Sequence, residues 1–181
     1  MRAKSAQTGI DLLSQKIRQS GYNVAGSFND KILMGILAGI ARREKKRAPM
    51  ETLDSAEVSR ESGVANDSRG KPGNRQVTLL FTRDWQAACE ELGNEVPWTT
   101  RRANLLIEDL DTPKTPGCLI AIGDVRLKST MEIDPCSRMD EQVAGLKQVL
   151  QPDWRGGVGC EVIRGGSIAV GDEVRLLESG D

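Results

Sequence analysis

Short apolar segments separated by turn-forming residues make up most of the chain after Met50. Several β-strands repeated at such short intervals are typical of a sheet that closes into a barrel or stacks as a sandwich. An earlier apolar run, Lys31 to Ala41, predicts one more buried strand. We therefore predict a mainly β fold: a closed or partly closed antiparallel β-barrel with a few short helices.

Two of these segments share one pattern. IAIGDVRL at residues 120–127 is echoed by IAVGDEVRL at residues 168–176. Each predicts two strands joined by a Gly-Asp turn, which is a common hairpin connection. Because only two copies occur, the similarity indicates shared hairpin chemistry and not a repeat architecture.

Two helices are predicted among the strands. The first covers TRDWQAACEELG, where Trp85, Ala88, Cys89 and Leu92 share one face and Gly93 provides a C-terminal stop. This spacing places Cys89 in the core.

The second helix is predicted after Cys136. Its apolar stripe would start at Met139 and end at Leu150, with Ser137 as N-cap, Asp140 in the first turn and Pro152 beyond the end. The cap would leave Cys136 just outside the helix N-terminus.

Composition limits the domain organisation and the partners. The 181 residues suffice for one core, with residues 1–30 as an N-terminal extension and residues 31–181 as a single domain. The 25 basic and 26 acidic residues nearly cancel, so we expect no nucleic-acid partner. The longest apolar run is shorter than the roughly 20 residues that span a bilayer, so we expect no membrane partner. The N-terminus lacks the apolar part of a secretory signal, which predicts a cytoplasmic protein with reduced cysteines.

The four cysteines and the absence of histidine restrict the chemistry. Cys89, Cys118, Cys136 and Cys160 are widely spaced, so the sequence has no paired zinc motif. Without histidine, it also has no Ser-His or Cys-His relay. Cys118 and Cys160 fall in strand-like runs and are expected to be small buried or half-buried thiols.

Of these four cysteines, only Cys136 is predicted to lie in a loop. A helix N-terminus and Arg138 would favour its thiolate, whereas Asp134 and Asp140 would oppose it. The residue pattern alone leaves two readings open, a reactive or metal-binding thiol and an ordinary half-buried cysteine.

Arginines at strand boundaries form a second candidate cluster. Together they could hold a phosphate, since guanidinium groups bind its oxygens in bidentate fashion; scattered surface arginines are the alternative. The run RREKKR at residues 42–47 is predicted to be a solvated turn. The cluster consists of Arg75, Arg101, Arg102 and Arg155.

An ordered set of motifs resembles the MOSC domain family, which is named for the C-terminal domain of molybdenum cofactor sulfurases. The motifs are GVANDSRG, RQVTLLF, RRANLLI, IGDVRLKSTMEIDPC, DWRGGVGCEVI and GSIAVGDEVRLL. The resemblance runs from about Ile32 to Leu177 and implies a MOSC-like antiparallel barrel. It also implies the molybdenum cofactor (molybdopterin), with the thiolate of Cys136 as a molybdenum ligand.

The resemblance extends to further site residues. Arg102 and Asn104 match the family's Arg-x-Asn, and Arg75 matches the arginine before its Gln-Val strand. With Arg101, these arginines would hold the phosphate of the pterin, while Asn104 would orient the strand or the ligand.

Asp67 occupies the place of the aspartate in the family's Gly-Asp pair, where it could relay protons. Asn66 replaces the glycine of that pair. Asparagine tolerates positive φ, so the turn can survive.

Three functions follow as hypotheses. The first is reduction of a small N-hydroxylated or N-oxide compound; the sequence has no iron–sulfur cysteine cluster and no dinucleotide fingerprint, so a partner reductase would supply electrons. The second is a sulfur carrier with a persulfide on Cys136, loaded by a partner cysteine desulfurase that would carry the pyridoxal phosphate. The third is a non-catalytic binding module.

Overall fold

A computed structural model of the chain describes residues 33–177. The predicted extension, residues 1–30, lies outside this range. The strands are β1 (Leu33–Arg42), β2 (Glu51–Leu53), β3 (Ser55–Ser59), β4 (Gly63–Val64), β5 (Val77–Phe81), β6 (Leu105–Glu108), β7 (Leu119–Ile122), β8 (Val125–Glu132), β9 (Val158–Arg164), β10 (Gly166–Ala169) and β11 (Glu173–Leu177). The α-helices are α1 (Thr82–Leu92), α2 (Arg138–Gln142) and α3 (Leu146–Val149), and Trp98–Arg101 forms a 3₁₀ helix.

Seven strands close into a barrel, which confirms the predicted fold class. Their order is β1-β6-β5-β9-β8-β7-β11, and β11 closes the ring by pairing with β1. Every pair is antiparallel except β5 with β6. The barrel interior is the main core, and its largest fully buried side chains include Leu37, Leu79, Phe81 and Leu127.

The parallel pair β5–β6 requires a crossover, since two parallel strands cannot be joined by a hairpin. Helix α1 and the 3₁₀ helix provide it. Leu80 points away from the barrel interior and packs with Trp85 and Ala88 of α1 in a second core cluster. Helices therefore cover one side of the barrel, and β5 is buried on both faces.

A small three-stranded sheet, β10-β3-β4, packs onto the barrel. Its residues Val58, Val64 and Ile168 belong to the barrel core. This sheet shows that one hairpin prediction was wrong. The first Gly-Asp turn does join a hairpin, with Ile122 opposite Val125. The second joins β10 to β11, which lie in different sheets.

The turn residues explain this separation. The backbone N–H of Gly171 donates to the carbonyl of Leu37, and the N–H of Leu37 donates to the carbonyl of Asp172. The second Gly-Asp turn is thus bonded to β1, so the chain passes from one sheet to the other there.

The predicted first helix is confirmed as α1, and Gly93 ends it in the left-handed conformation at φ 70°. The predicted second helix is wrong as one element. It is broken into α2 and α3, because Val143 is extended and Gly145 has φ 84°. Within residues 33–177, no helix is long and apolar enough to cross a bilayer.

Ser137 stands at the N-cap position of α2, as predicted, but it does not cap the helix. It has helical backbone angles, and its side chain makes no capping hydrogen bond. Asp140 accepts a hydrogen bond from the N–H of Lys147 at 2.9 Å instead. A five-residue helix without a cap contributes little dipole, so any stabilisation of a Cys136 thiolate must come from elsewhere.

Candidate functional site

Cys136 lies between β8 and α2, in a cleft of about 540 Å³ on the surface of the barrel. Three other stretches of chain meet it there: the end of β1 with the turn that follows it, the loop between β4 and β5, and the 3₁₀ helix. The lining residues are Arg43, Lys46, Ser68, Arg69, Arg75, Cys136, Ser137 and Arg138. A narrower recess of about 60 Å³ shares five of these and adds Arg101, Arg102, Asp134 and Met139. We call the two together the arginine cleft.

The arginine cleft brings Cys136 together with three of the predicted arginines, Arg75, Arg101 and Arg102. Arg155, the fourth, is elsewhere: its guanidinium contacts Glu91 at 2.5 Å and the carbonyl of Val149. The grouping of Arg155 with the other three was therefore wrong.

Arg101 is the most deeply buried of the cleft arginines, at 3% exposure. Its Nη2 donates to the carbonyl of Ile133 at 2.8 Å, which anchors it directly beside the Cys136 loop. The Nε atoms of Arg101 and Arg75 are both buried, and neither has a hydrogen-bond partner within residues 33–177. An unpaired donor on a buried cation is costly, so both atoms are suited to an anionic acceptor that enters the cleft.

Burial lowers the pKa of Arg75 and Arg101 to about 10. The charge of Arg69 acts in the same direction on both, whereas the Cys136 thiolate acts in the opposite direction. Burial also lowers the pKa of Arg43 and of Arg102, again with repulsion from neighbouring arginines. All remain protonated at neutral pH, so the cleft holds mutually repelling cations that an anion would stabilise.

Asn104 ties the elements of the site together. Its Oδ1 accepts the N–H of Thr78 at 3.0 Å, and its Nδ2 donates to the carbonyl of Ala41 and to Asp67. Asn104 is 6% exposed. These hydrogen bonds hold strands β1 and β5 and the Asp67 loop together, and the role of Asn104 toward a ligand stays a prediction.

Asp67 is held at the edge of the site by three hydrogen bonds. Its carboxylate accepts the backbone N–H groups of Arg43 and Arg69 and the amide of Asn104. Asn66 before it has φ 62°, so asparagine does take the left-handed position expected of glycine. Asp67 thereby positions two cleft arginines; its role in proton transfer stays a prediction.

Gln76, which was not among the predicted site residues, fixes the loop that carries Arg75. This buried amide donates to the carbonyls of Arg60 and Gly70, and its oxygen accepts the N–H of Val162. The loop is thereby bonded to both the small sheet and β9.

Four cleft cations were not among the predicted site residues: Arg43, Lys46, Arg69 and Arg138. Arg43 and Lys46 belong to the charge run that was predicted to be solvated. Lys46 is exposed, but Arg43 is 7% exposed and lines the cleft. The sequence feature that could have identified Arg43 as a site residue is its position directly after a buried strand.

The cysteines differ sharply in exposure. Cys136 is exposed, Cys89 and Cys118 are half-buried, and Cys160 is fully buried in β9. Burial raises the pKa of the Cys160 thiol. The expected burial is confirmed for Cys160, whereas Cys89 packs only at the margin of the second core cluster.

Iodoacetamide should therefore alkylate Cys136 in the folded chain and leave Cys160 unmodified, with rates that differ by at least roughly a hundredfold. Only an exposed thiol can form a reactive thiolate at once, since Cys160 must wait for the barrel to open. Peptide mass spectrometry over time measures both rates. Equal labelling of the two cysteines would contradict the described exposure.

Among the described residues, the cleft offers a soft metal one ligand, the Cys136 thiolate. A metal bound there would need its other ligands from a cofactor. Among residues 33–177, no group of three or more His, Cys, Asp or Glu side chains could hold a metal ion. A single thiolate beside several unpaired cations fits a metal whose remaining ligands belong to an anionic cofactor. The residues of the arginine cleft thus fit a phosphorylated metal cofactor.

Comparison with known proteins identifies the fold. A crystal structure of the YuaD protein from Bacillus subtilis matches with a TM-score of 0.73 at 16% identity, covering 83% of this chain and 99% of that one. YiiM from Geobacillus stearothermophilus matches with a TM-score of 0.65 at 15% identity, covering 81% of this chain and 76% of that one. YiiM from Escherichia coli gives 0.61 at 13% identity, with coverage of 81% and 71%. At these identities the likeness shows the fold alone.

The sequence itself gives the family. A comparison with curated proteins found no match. The family model described as the MOSC domain matches residues 61–175, which include Cys136 and all the arginines of the cleft except Arg43. Since this match covers more than half of the chain, the protein belongs to the MOSC domain family.

Proposed function

We propose that this protein binds the molybdenum cofactor in the arginine cleft and reduces N-hydroxylated or N-oxide compounds with electrons from a partner reductase. The MOSC family is associated with molybdenum-cofactor binding. The observation that carries the proposal is the position of Cys136, an exposed thiol among cations that include two buried, unpartnered Nε atoms.

Different residues of the cleft would bind different parts of the cofactor. Cys136 would supply the protein's ligand to molybdenum, since a thiolate is a soft ligand. Arg75 and Arg101 would hold the cofactor's phosphate with their unpartnered Nε atoms, and Arg102 would add a third cation. Arg102 is itself held in place by its hydrogen bond to the carbonyl of Ala48 at 3.1 Å.

The proposed reaction is a two-electron reduction. An N–O bond breaks, two electrons and two protons are consumed, and the products are the amine and water. When bound, molybdenum supplies the redox chemistry. This chain's own residues bind and orient the cofactor, and the electrons come from a separate reductase.

Molybdenum content tests the proposal. Wild type purified from cells that make the cofactor should contain near-stoichiometric molybdenum, and Cys136→Ser should retain less than about a tenth of it. Loss of the proposed thiolate ligand is the physical reason. Elemental analysis on proteins purified side by side gives the measurement.

Cys118→Ser is the matched control, because Cys118 lies outside the arginine cleft and should leave the metal content unchanged. Wild type that contains molybdenum should then reduce an N-hydroxylated probe when a reductase is added. Metal-free wild type, or equal metal in Cys136→Ser, would contradict the proposal.

A sulfur carrier is the second candidate, favoured by Cys136 being the single exposed cysteine of the described residues. A desulfurase persulfide would pass its terminal sulfur to the Cys136 thiolate: one S–S bond forms, the donor's S–S bond breaks, and the donor leaves as a thiolate. Intact mass after incubation should show one added sulfur in wild type and none in Cys136→Ser. If neither metal nor sulfur is bound, the non-catalytic module is the reading that remains.

A further inference from the structure

The arginine cleft carries more positive charge than the proposed cofactor needs. Six arginines and one lysine line it, against one lining carboxylate, Asp134, and the adjacent Asp67. Among the described residues, six ion pairs form, and none of them includes a cation of the cleft. Within residues 33–177, the charge of the cleft is thus not neutralised by ion pairs.

The surplus can be counted. A Cys136 thiolate and one phosphate monoester would add about three negative charges to the two carboxylates. Seven cations then leave a surplus of about two positive charges, which is close to the charge of one more phosphate monoester.

The side chains that line the cleft also restrict the class of ligand that can bind there. Among the described residues, no aromatic side chain lines the cleft, and Met139 is the one large apolar side chain there. Ser68 and Ser137 add hydroxyl donors to the wider part. Such a surface offers ionic and hydrogen-bonding contacts and little area for stacking or apolar burial.

Exposure distinguishes the outer cations of the cleft from Arg101, although Arg69 and Arg138 line both the narrow recess and the wider part. Lys46 and Arg69 are exposed, and Arg138 is half-buried, whereas Arg101 is buried. Lys46, Ser68 and Ser137 line only the wider part of the cleft. These groups are therefore available to a molecule that enters from solvent after the deep cations are occupied.

We propose that the substrate of this site carries its own phosphate group, bound by Arg69 and Arg138 with help from Lys46. Guanidinium groups bind phosphate oxygens in bidentate fashion, and serine hydroxyls donate to the remaining oxygens. The inference rests on the proposed function for the reaction, but the second anion site is a property of the chain itself.

Binding of inorganic phosphate to the cofactor-free full chain provides the first test. Equilibrium dialysis with labelled phosphate should show two phosphates per wild-type chain and one per chain of the double variant Arg69→Gln/Arg138→Gln. Arg164→Gln/Arg175→Gln removes two exposed arginines outside the cleft and should still bind two. One phosphate in wild type, or two in Arg69→Gln/Arg138→Gln, would overturn the inference.

The second test uses the molybdenum-loaded chain with a reductase. An N-hydroxylated nucleoside and its 5′-phosphate differ only in the anionic group. The kcat/KM for the phosphate should be roughly tenfold to a hundredfold higher, and Arg69→Gln/Arg138→Gln should bring the ratio of the two kcat/KM values close to one. Equal kcat/KM for the two compounds in wild type would overturn the substrate assignment.

The two tests separate the failure of this inference from that of the proposed function. A wild-type chain that takes up no molybdenum but binds two phosphates would contradict the cofactor and keep the second anion site. A chain that takes up molybdenum and binds one phosphate when cofactor-free would keep the cofactor and contradict the second site.

Discussion

Gly157→Ala should lower the free energy of unfolding by roughly 4 kcal/mol or more, whereas Gly171→Ala should lower it by about 1 to 2 kcal/mol. The two glycines have nearly the same positive φ, 95° and 97°. A methyl group at Gly157 would lie 2.3 Å from the carbonyl oxygen of Leu79, in the backbone of β5. A methyl group at Gly171 would have no atom of the described residues within 4 Å, apart from its own chain neighbours.

Comparison of the two variants separates two contributions to the loss of stability that an added methyl group causes. Both variants carry the strain of a left-handed backbone, and only Gly157→Ala adds a clash with a fully buried strand. Chemical denaturation of both variants against wild type gives the difference. Equal losses for the two would show that the contact between Gly157 and Leu79 is looser than described.

Gly157→Ala should also disturb the cleft. The carbonyl of Gly157 accepts the N–H of Ile133 at 2.9 Å, and the carbonyl of Ile133 accepts Nη2 of Arg101. A shift of Gly157 would thus be passed to Arg101 and to the loop that carries Cys136. In a variant that still folds, weaker phosphate binding than in Gly171→Ala is the expected sign.

Arg101→Met should reduce retention of the anionic cofactor, or of phosphate, roughly tenfold to a hundredfold. Methionine fills much of the volume but removes the charge and the buried Nε donor. The free energy of unfolding without anions should change by no more than about 2 kcal/mol. Loss of the hydrogen bond to Ile133 is offset by removal of a desolvated cation that other arginines repel.

Arg155→Met is the matched control, since Arg155 is also partly buried and lies outside the cleft. It should keep full anion retention. Phosphate binding and molybdenum content, measured with denaturation curves on the same samples, separate a binding defect from a folding defect. Unchanged retention in Arg101→Met would remove Arg101 from the proposed anion site.

The sequence by itself determined those features that depend on neighbouring residues. Alternating apolar segments predicted the barrel strands, and helical spacing followed by Gly93 predicted α1. Asn66 could be expected to keep a glycine-like turn, and it does, at φ 62°. The family's ordered motifs pointed to Cys136, although its residue pattern alone also allowed an ordinary cysteine.

Only the tertiary structure decided which charges meet. The sequence predicts Arg43 in a solvated turn, yet closure of the barrel brings it beside Arg69 and Cys136. Arg155 seemed equivalent to Arg101, but it faces Glu91 instead. Local sequence fixes where strands and turns form, whereas burial and charge at each arginine depend on strand pairing between distant segments. The cationic setting of Cys136 therefore comes from the closed barrel, and not from a helix N-terminus next to it.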